Sequence, residues 1–262
     1  MLQAVAGLSR RAFGETKRRD AWWATPLTVF TVLSGFIVYS TWAAFQNAHF
    51  EYGPYLSPFY SPLLVGTSEH AWFKGEFFLP ISPALLILWA PGGFRFTCYY
   101  YRGAYYKAFW ADPPNCSVGE PRKSYLGENS FPLVLQNIHR YFLYIAVGFL
   151  FILAYDVYLA THFTSPVTGA RQFGIGVGTL ILAANLVFLT CYTLGCHAMR
   201  HIVGGYLDEM AKRPVRKAAY DCSSCLNRWH MKWAYISLFS VALSDLYVRL
   251  CSMGVITDYR LV

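Results

Sequence analysis

The eleven residues Cys191 to His201, CYTLGCHAMRH, close a long apolar run and carry two cysteines and two histidines. Such groups are costly at the edge of a membrane helix unless they bind something or pair with one another. His197 and His201 are four apart, so on a helix they share a face about one turn (~5–6 Å) apart. Cys196 falls about 100° round from His197 on the same turn. Cys191 lies about 8 Å deeper than Cys196 at about 1.5 Å per residue, and on another face. The working group is therefore Cys196, His197 and His201.

The elements that must position these residues are long apolar runs. Of 262 residues, 55% are hydrophobic and 14% charged, against about 25% charged in soluble domains. Runs of about twenty apolar residues recur, and the pattern predicts an all-α polytopic membrane protein, a bundle of five transmembrane helices. The helices are expected at about 22–45, 80–101, 131–160, 173–203 and 226–253, after a basic, amphipathic tail over 1–21 with no apolar core or cleavage site of a signal peptide. Pro91-Gly92-Gly93 should kink the second helix. Residues 46–79 read as an aromatic loop lying on the outer face.

Lys and Arg divide unevenly between the two sides. Fourteen lie in the tail, the 102–130 loop and the 204–228 loop, against three in the other loops and the C-terminal end. That asymmetry sets the N-terminus in the cytoplasm, and it accounts for the net charge of +8 without a nucleic-acid partner. On this topology His139, His197, His201 and His230 fall near the cytoplasmic ends of helices three to five. Cys98 falls near that end of helix two, and Cys116, Cys222 and Cys225 lie in cytoplasmic loops. Disulfides are not expected there; metal ligation or plain burial is.

Three chemistries suit the cluster. It could hold an iron–sulfur centre with mixed Cys and His ligands. Two histidines on different helices, such as His139 and His201, could sandwich a b-type haem, which leaves the cysteines unexplained. Or the group is structural, the thiols acting as small hydrophobes. Cys222-Ser-Ser-Cys225 is a CxxC with no matching second pair, a weaker metal signal. The run FRFTCYYYRGAYYKAFW (94–110) suits a quinone headgroup, with aromatic walls and Arg or Tyr donors. Its candidates are Arg95, Tyr99, Arg102 and Tyr106, with Arg140 and Trp229 further along the chain. Asp245 and Arg249, four apart in the last helix, read as an ion pair that lowers the cost of burial. With Asp156 they could also serve a proton path.

The segments PISPALLI (80–87), TCYYYRGAYYKAFW (97–110), PPNC (113–116), QNIHRYF (136–142), YTLGCHAMRHIVGG (192–205) and NRWHMKWA (227–234) carry a family resemblance. The chain resembles the single-chain, cytochrome b-like membrane anchor of actinobacterial succinate dehydrogenases, the anchor of respiratory complex II. The resemblance implies a multi-pass inner-membrane subunit that docks a flavoprotein and an iron–sulfur subunit and passes electrons to quinone, menaquinone foremost. It also implies a Rieske-type [2Fe-2S] cluster, with haem b as the alternative cofactor. The matching metal positions are Cys98, Cys116, His139, Cys196, His197, His201 and His230, of which a two-Cys, two-His cluster needs four. Haem-bearing five-helix anchors carry histidines in their first two helices, and this chain has none there. No dinucleotide or phosphate-binding glycine motif appears, so the chain alone would not oxidise succinate.

Overall fold

The computed structural model describes residues 12–76, 82–121, 131, 133–165 and 168–262. The helices are α1 (Ala24–Gln46), α2 (Leu85–Thr97), α3 (Tyr99–Ala108), α4 (His139–Leu159), α5 (Val177–Leu194), α6 (His197–Gly204), α7 (Pro214–Asn227) and α8 (His230–Ser252). Four stretches among the described residues are long and apolar enough to cross a membrane: Ala24–Gln46, Val134–Leu159, Val177–Leu194 and His230–Ser252. The second of these begins within a 3-10 turn over Leu133–Ile138. Beyond the helices, the described residues form three two-stranded ladders, two antiparallel and one parallel.

The chain forms two compact units, residues 1–35 with 96–137 and residues 36–95 with 138–262. In the first, the segment after α3 is tied to the chain before α1. Gly14 N–H donates to the Gly119 carbonyl (3.0 Å) and Gly119 N–H to that of Glu15 (2.9 Å). Arg18 donates to Asn115 Oδ1 (3.1 Å) and to the Cys116 carbonyl (3.0 Å). Phe30 of α1 packs on Phe109, ring centroids 4.9 Å apart.

In the second unit α8 packs along α5, and α4 along α5. Its polar centre is Asp245. The carboxylate accepts from Arg249 Nε (2.7 Å), from Tyr39 Oη of α1 (2.7 Å) and from Ser57 Oγ. The other guanidinium nitrogens donate to the carbonyls of Ala43 (2.9 Å) and Ala48 (2.8 Å), and Tyr60 Oη sits 3.0 Å from the Ala43 and Ala44 carbonyls. The Ala43 and Ala44 carbonyls are among the last four of α1, which a helix C-terminus leaves open. Asp245 and Arg249 are thus a structural ion pair. Asp156 stands apart from them, accepting from Ser61 Oγ.

Several predicted boundaries shift. The helix expected over 80–101 is interrupted at Cys98, which has extended backbone (φ −60°, ψ 131°). Its residues 80–81 lie outside the described residues, as do 1–11 of the tail and 122–130. Helix α2 carries Pro91 in its interior and runs on to Thr97. The helix expected to reach 203 stops at Leu194, and the start expected at 173 is taken by a hairpin pairing His162–Thr164 with Arg171–Phe173. A Cβ on Gly195 would lie 2.7 Å from the Cys191 carbonyl and 3.0 Å from Leu226. Glycine therefore permits the close approach of α7, whose Ser223 and Asn227 donate to the Leu194 and Gly195 carbonyls (both 2.7 Å). Helix α7 itself falls in the segment read as a loop, with Pro214 in its first turn. The loop after α1 packs into the second unit, with Tyr55, Leu56, Phe59, Tyr60 and Leu63 buried.

Arg249→Ala would leave the Asp245 carboxylate buried without its cation, a loss of about 3–5 kcal/mol. The midpoint of thermal inactivation in detergent should fall sharply. The double replacement Asp245→Ala/Arg249→Met, which removes both charges, should fall less.

Candidate functional site

The seven expected metal positions separate by burial. Cys98 and Cys196 are 1% and 2% exposed, and His139 and His230 are 9% exposed. Cys116, His197 and His201 are exposed. Each buried member stands where a helix begins: Cys98 before α3, His139 first in α4, Cys196 before α6 and His230 first in α8. Helix N-termini carry partial positive charge and favour an anionic ligand. Cys98 and Cys116 belong to the first unit, the other five to the second.

Within the second unit His139 Nε2 lies 3.0 Å from Cys196 Sγ. The His139 ring is also hydrogen-bonded to the Phe94 backbone. Fixing one ring nitrogen on a carbonyl leaves the other to face the thiol, the usual way a ligand imidazole is oriented. The Phe94 ring stacks on His139 (centroids 4.8 Å, 10° between planes), and Tyr192 stacks on His230 (5.0 Å, 14°). Phe94 and Tyr192 meet edge to face at 5.5 Å. The Arg95 guanidinium lies 4.8 Å from the Tyr192 ring centre and donates to the Ala234 carbonyl (3.2 Å) and Ser237 Oγ (3.0 Å) of α8.

Phe94, Arg95 and Tyr192 also line a cavity of about 490 Å³. Its other walls are mostly apolar residues of α1, the loop after it, α2, α4, α5 and α8, among them Phe36, Phe59, Trp89, Phe149 and Leu189, and among the described residues Arg95 is the one charged side chain lining it. Phe94 and Tyr192 thus both line the apolar groove and stack on the two imidazoles. Of the six expected quinone contacts, only Arg95 reaches this groove. Arg140 and Trp229 are exposed elsewhere in the same unit, and Tyr99, Arg102 and Tyr106 lie in the other unit. There, Arg102 covers the Tyr99 ring at 4.1 Å.

The remaining expected ligands arrange differently. His197 Nε2 faces His201 Nε2 at 3.0 Å on α6. Burial lowers the His197 pKa, and the charges of His201 and Arg200 lower it further. Cys222 and Cys225 are exposed on α7. Among the described residues no three His, Cys, Asp or Glu side chains form a group able to hold a metal ion, so the expectation of a closed metal site, and with it the Rieske-type cluster, finds no support in the geometry. The pairings differ as well: His201 faces His197, and His139 faces Cys196. Sequence reasoning placed Phe94 in the aromatic run and Tyr192 in the Cys/His stretch without singling out either. The signal available was spacing, since each lies four residues before a buried cysteine, Cys98 and Cys196.

The sequence model of the actinobacterial succinate dehydrogenase subunit SdhC matches residues 24–254. The chain belongs to this family, and with its apolar helices it is a multi-pass plasma-membrane protein. Its structure is similar to a chain of the Mycobacterium smegmatis Sdh1 complex in the apo form, with a TM-score of 0.86 and 41% sequence identity over 94% of each chain. Among curated proteins no relative matches.

Tyr192 is 1% exposed and touches His230, Phe94 and Arg95. Tyr192→Ala should cost about 3–5 kcal/mol, as truncating a buried aromatic does, read as a lower thermal midpoint. Tyr192→Phe keeps the ring and should stay near wild type.

Proposed function

We propose that the chain anchors the flavoprotein and iron–sulfur subunits of a succinate dehydrogenase and delivers electrons from them to membrane quinone bound in the apolar groove. The observation that carries this reading is the double stack: Phe94 and Tyr192 line the groove and also stack on His139 and His230. Family membership and the likeness to a chain of the Sdh1 complex support the partner subunits. The groove accepts an apolar quinone body and tail, and Arg95 places a permanent cation beside it. Menaquinone is the quinone we assign. In this reading α2 is the second of five spans, and the basic segments around α6 and α7 face the cytoplasm with the N-terminus.

Within the second unit Cys196, His139 and His230 are buried, and His139 faces Cys196. One thiol and two imidazoles are part of the two-Cys, two-His donor set of a Rieske-type [2Fe-2S] cluster, and these three residues would be its ligands in this unit. The group when bound would supply one-electron transfer at the raised potential that imidazole ligation gives. Around it, Phe94 and Tyr192 exclude water, and the Phe94 carbonyl orients His139. Haem b is the lesser reading, because His139 and His201 face Cys196 and His197 rather than one another.

The test uses the intact complex. Dithionite-reduced wild type should give a Rieske-like paramagnetic signal and no sharp haem bands. His230→Ala and Cys196→Ala should lose that signal and quinone reduction while succinate oxidation by a soluble dye persists. Normal quinone reduction in both variants would overturn the relay, and sharp reduced-minus-oxidised bands would replace the cluster with haem.

A further inference from the structure

The His197–His201 pair is not used by the site above. Both rings are exposed on one face of α6, their Nε2 atoms 3.0 Å apart and their planes at 68°. Two imidazole nitrogens meet this way when one donates to the other, or when both lone pairs converge on a cation. The second case can be judged by geometry. Metal–imidazole bonds run about 2.0–2.1 Å. Two such bonds ending 3.0 Å apart enclose about 90°, narrower than the ~109° of a tetrahedral site. A right angle is the cis angle of a square-planar or octahedral ion, the geometry of Cu2+ and Ni2+.

The surroundings suit such an ion. Residues four apart on a helix present neighbouring side chains without strain. Arg200 falls between the two histidines in sequence, but its guanidinium is engaged by α7: Nε with Ser224 Oγ (3.2 Å), Nη1 with Asn227 Oδ1 (3.3 Å) and Nη2 with Tyr220 Oη (3.0 Å).

We infer that His197 and His201 form a bidentate chelate for a late first-row divalent cation, with water filling the other positions. No third His, Cys, Asp or Glu joins it among the described residues. The cation therefore exchanges with solvent rather than being locked in the fold. The site is mononuclear, distinct from the buried donors, and does not depend on their holding a cluster.

Equilibrium dialysis of the intact complex against Ni2+ tests this, comparing wild type with His197→Gln and His201→Gln. Wild type should bind one Ni2+ at this site, displaced by Cu2+, and each variant should bind it at least about tenfold more weakly. Both histidines are exposed, so assembly and quinone reduction of the same samples should stay at the wild-type level. Unchanged Ni2+ affinity in the two variants would show a plain imidazole–imidazole hydrogen bond and overturn the site. Weaker Ni2+ binding with the paramagnetic signal intact would support it, whichever cofactor the buried donors hold.

Discussion

A membrane-embedded helix end has little water to complete its hydrogen bonds, so every carbonyl left open at a C-terminus must be met by protein. At the end of α1 that task falls to Arg249 and Tyr60, which reach the carbonyls of Ala43, Ala44 and Ala48. The guanidinium in turn needs a counter-charge, and Asp245 supplies it from the preceding turn of α8. Asp245 then collects Tyr39 and Ser57. One buried ion pair thus joins α1, the aromatic loop and α8. Its worth lies less in Coulomb energy than in leaving none of these groups open.

The same constraint acts where α5 and α6 meet, with a different outcome. Gly195 and Cys196 interrupt the helix, and α7 repairs the break: Ser223 and Asn227 meet the end of α5, and Arg216 donates to Val203 and Gly205 at the end of α6 (both 2.9 Å). The interruption gives Cys196 a helix start to stand on, facing His139 across α4. A continuous helix would have carried Cys196 and His197 round one turn together. The break instead buries the thiol and leaves the imidazole outside.

The apolar runs of α1, α4, α5 and α8 were legible in the sequence because lipid demands about twenty apolar residues per span. The Asp245–Arg249 pair was legible from its spacing, and so was the shared face of His197 and His201. What could not be read was which of seven candidate ligands are buried. That depends on interruptions at Cys98 and Cys196, and hydropathy smooths over a one-residue break. Helix α7 was hidden because a short, basic, amphipathic helix has the composition of a loop. The groove was hidden because its walls come from five helices far apart in sequence. Arg95, its one charged residue, was visible; Phe94 and Tyr192, which give it a floor, look like any belt aromatics.

Those two rings have a further consequence. Each lines the groove and stacks on an imidazole as well, Phe94 on His139 and Tyr192 on His230. A change of side chain at either position therefore alters the shape of the groove and the seat of an imidazole together. Neither feature of the fold can vary independently of the other.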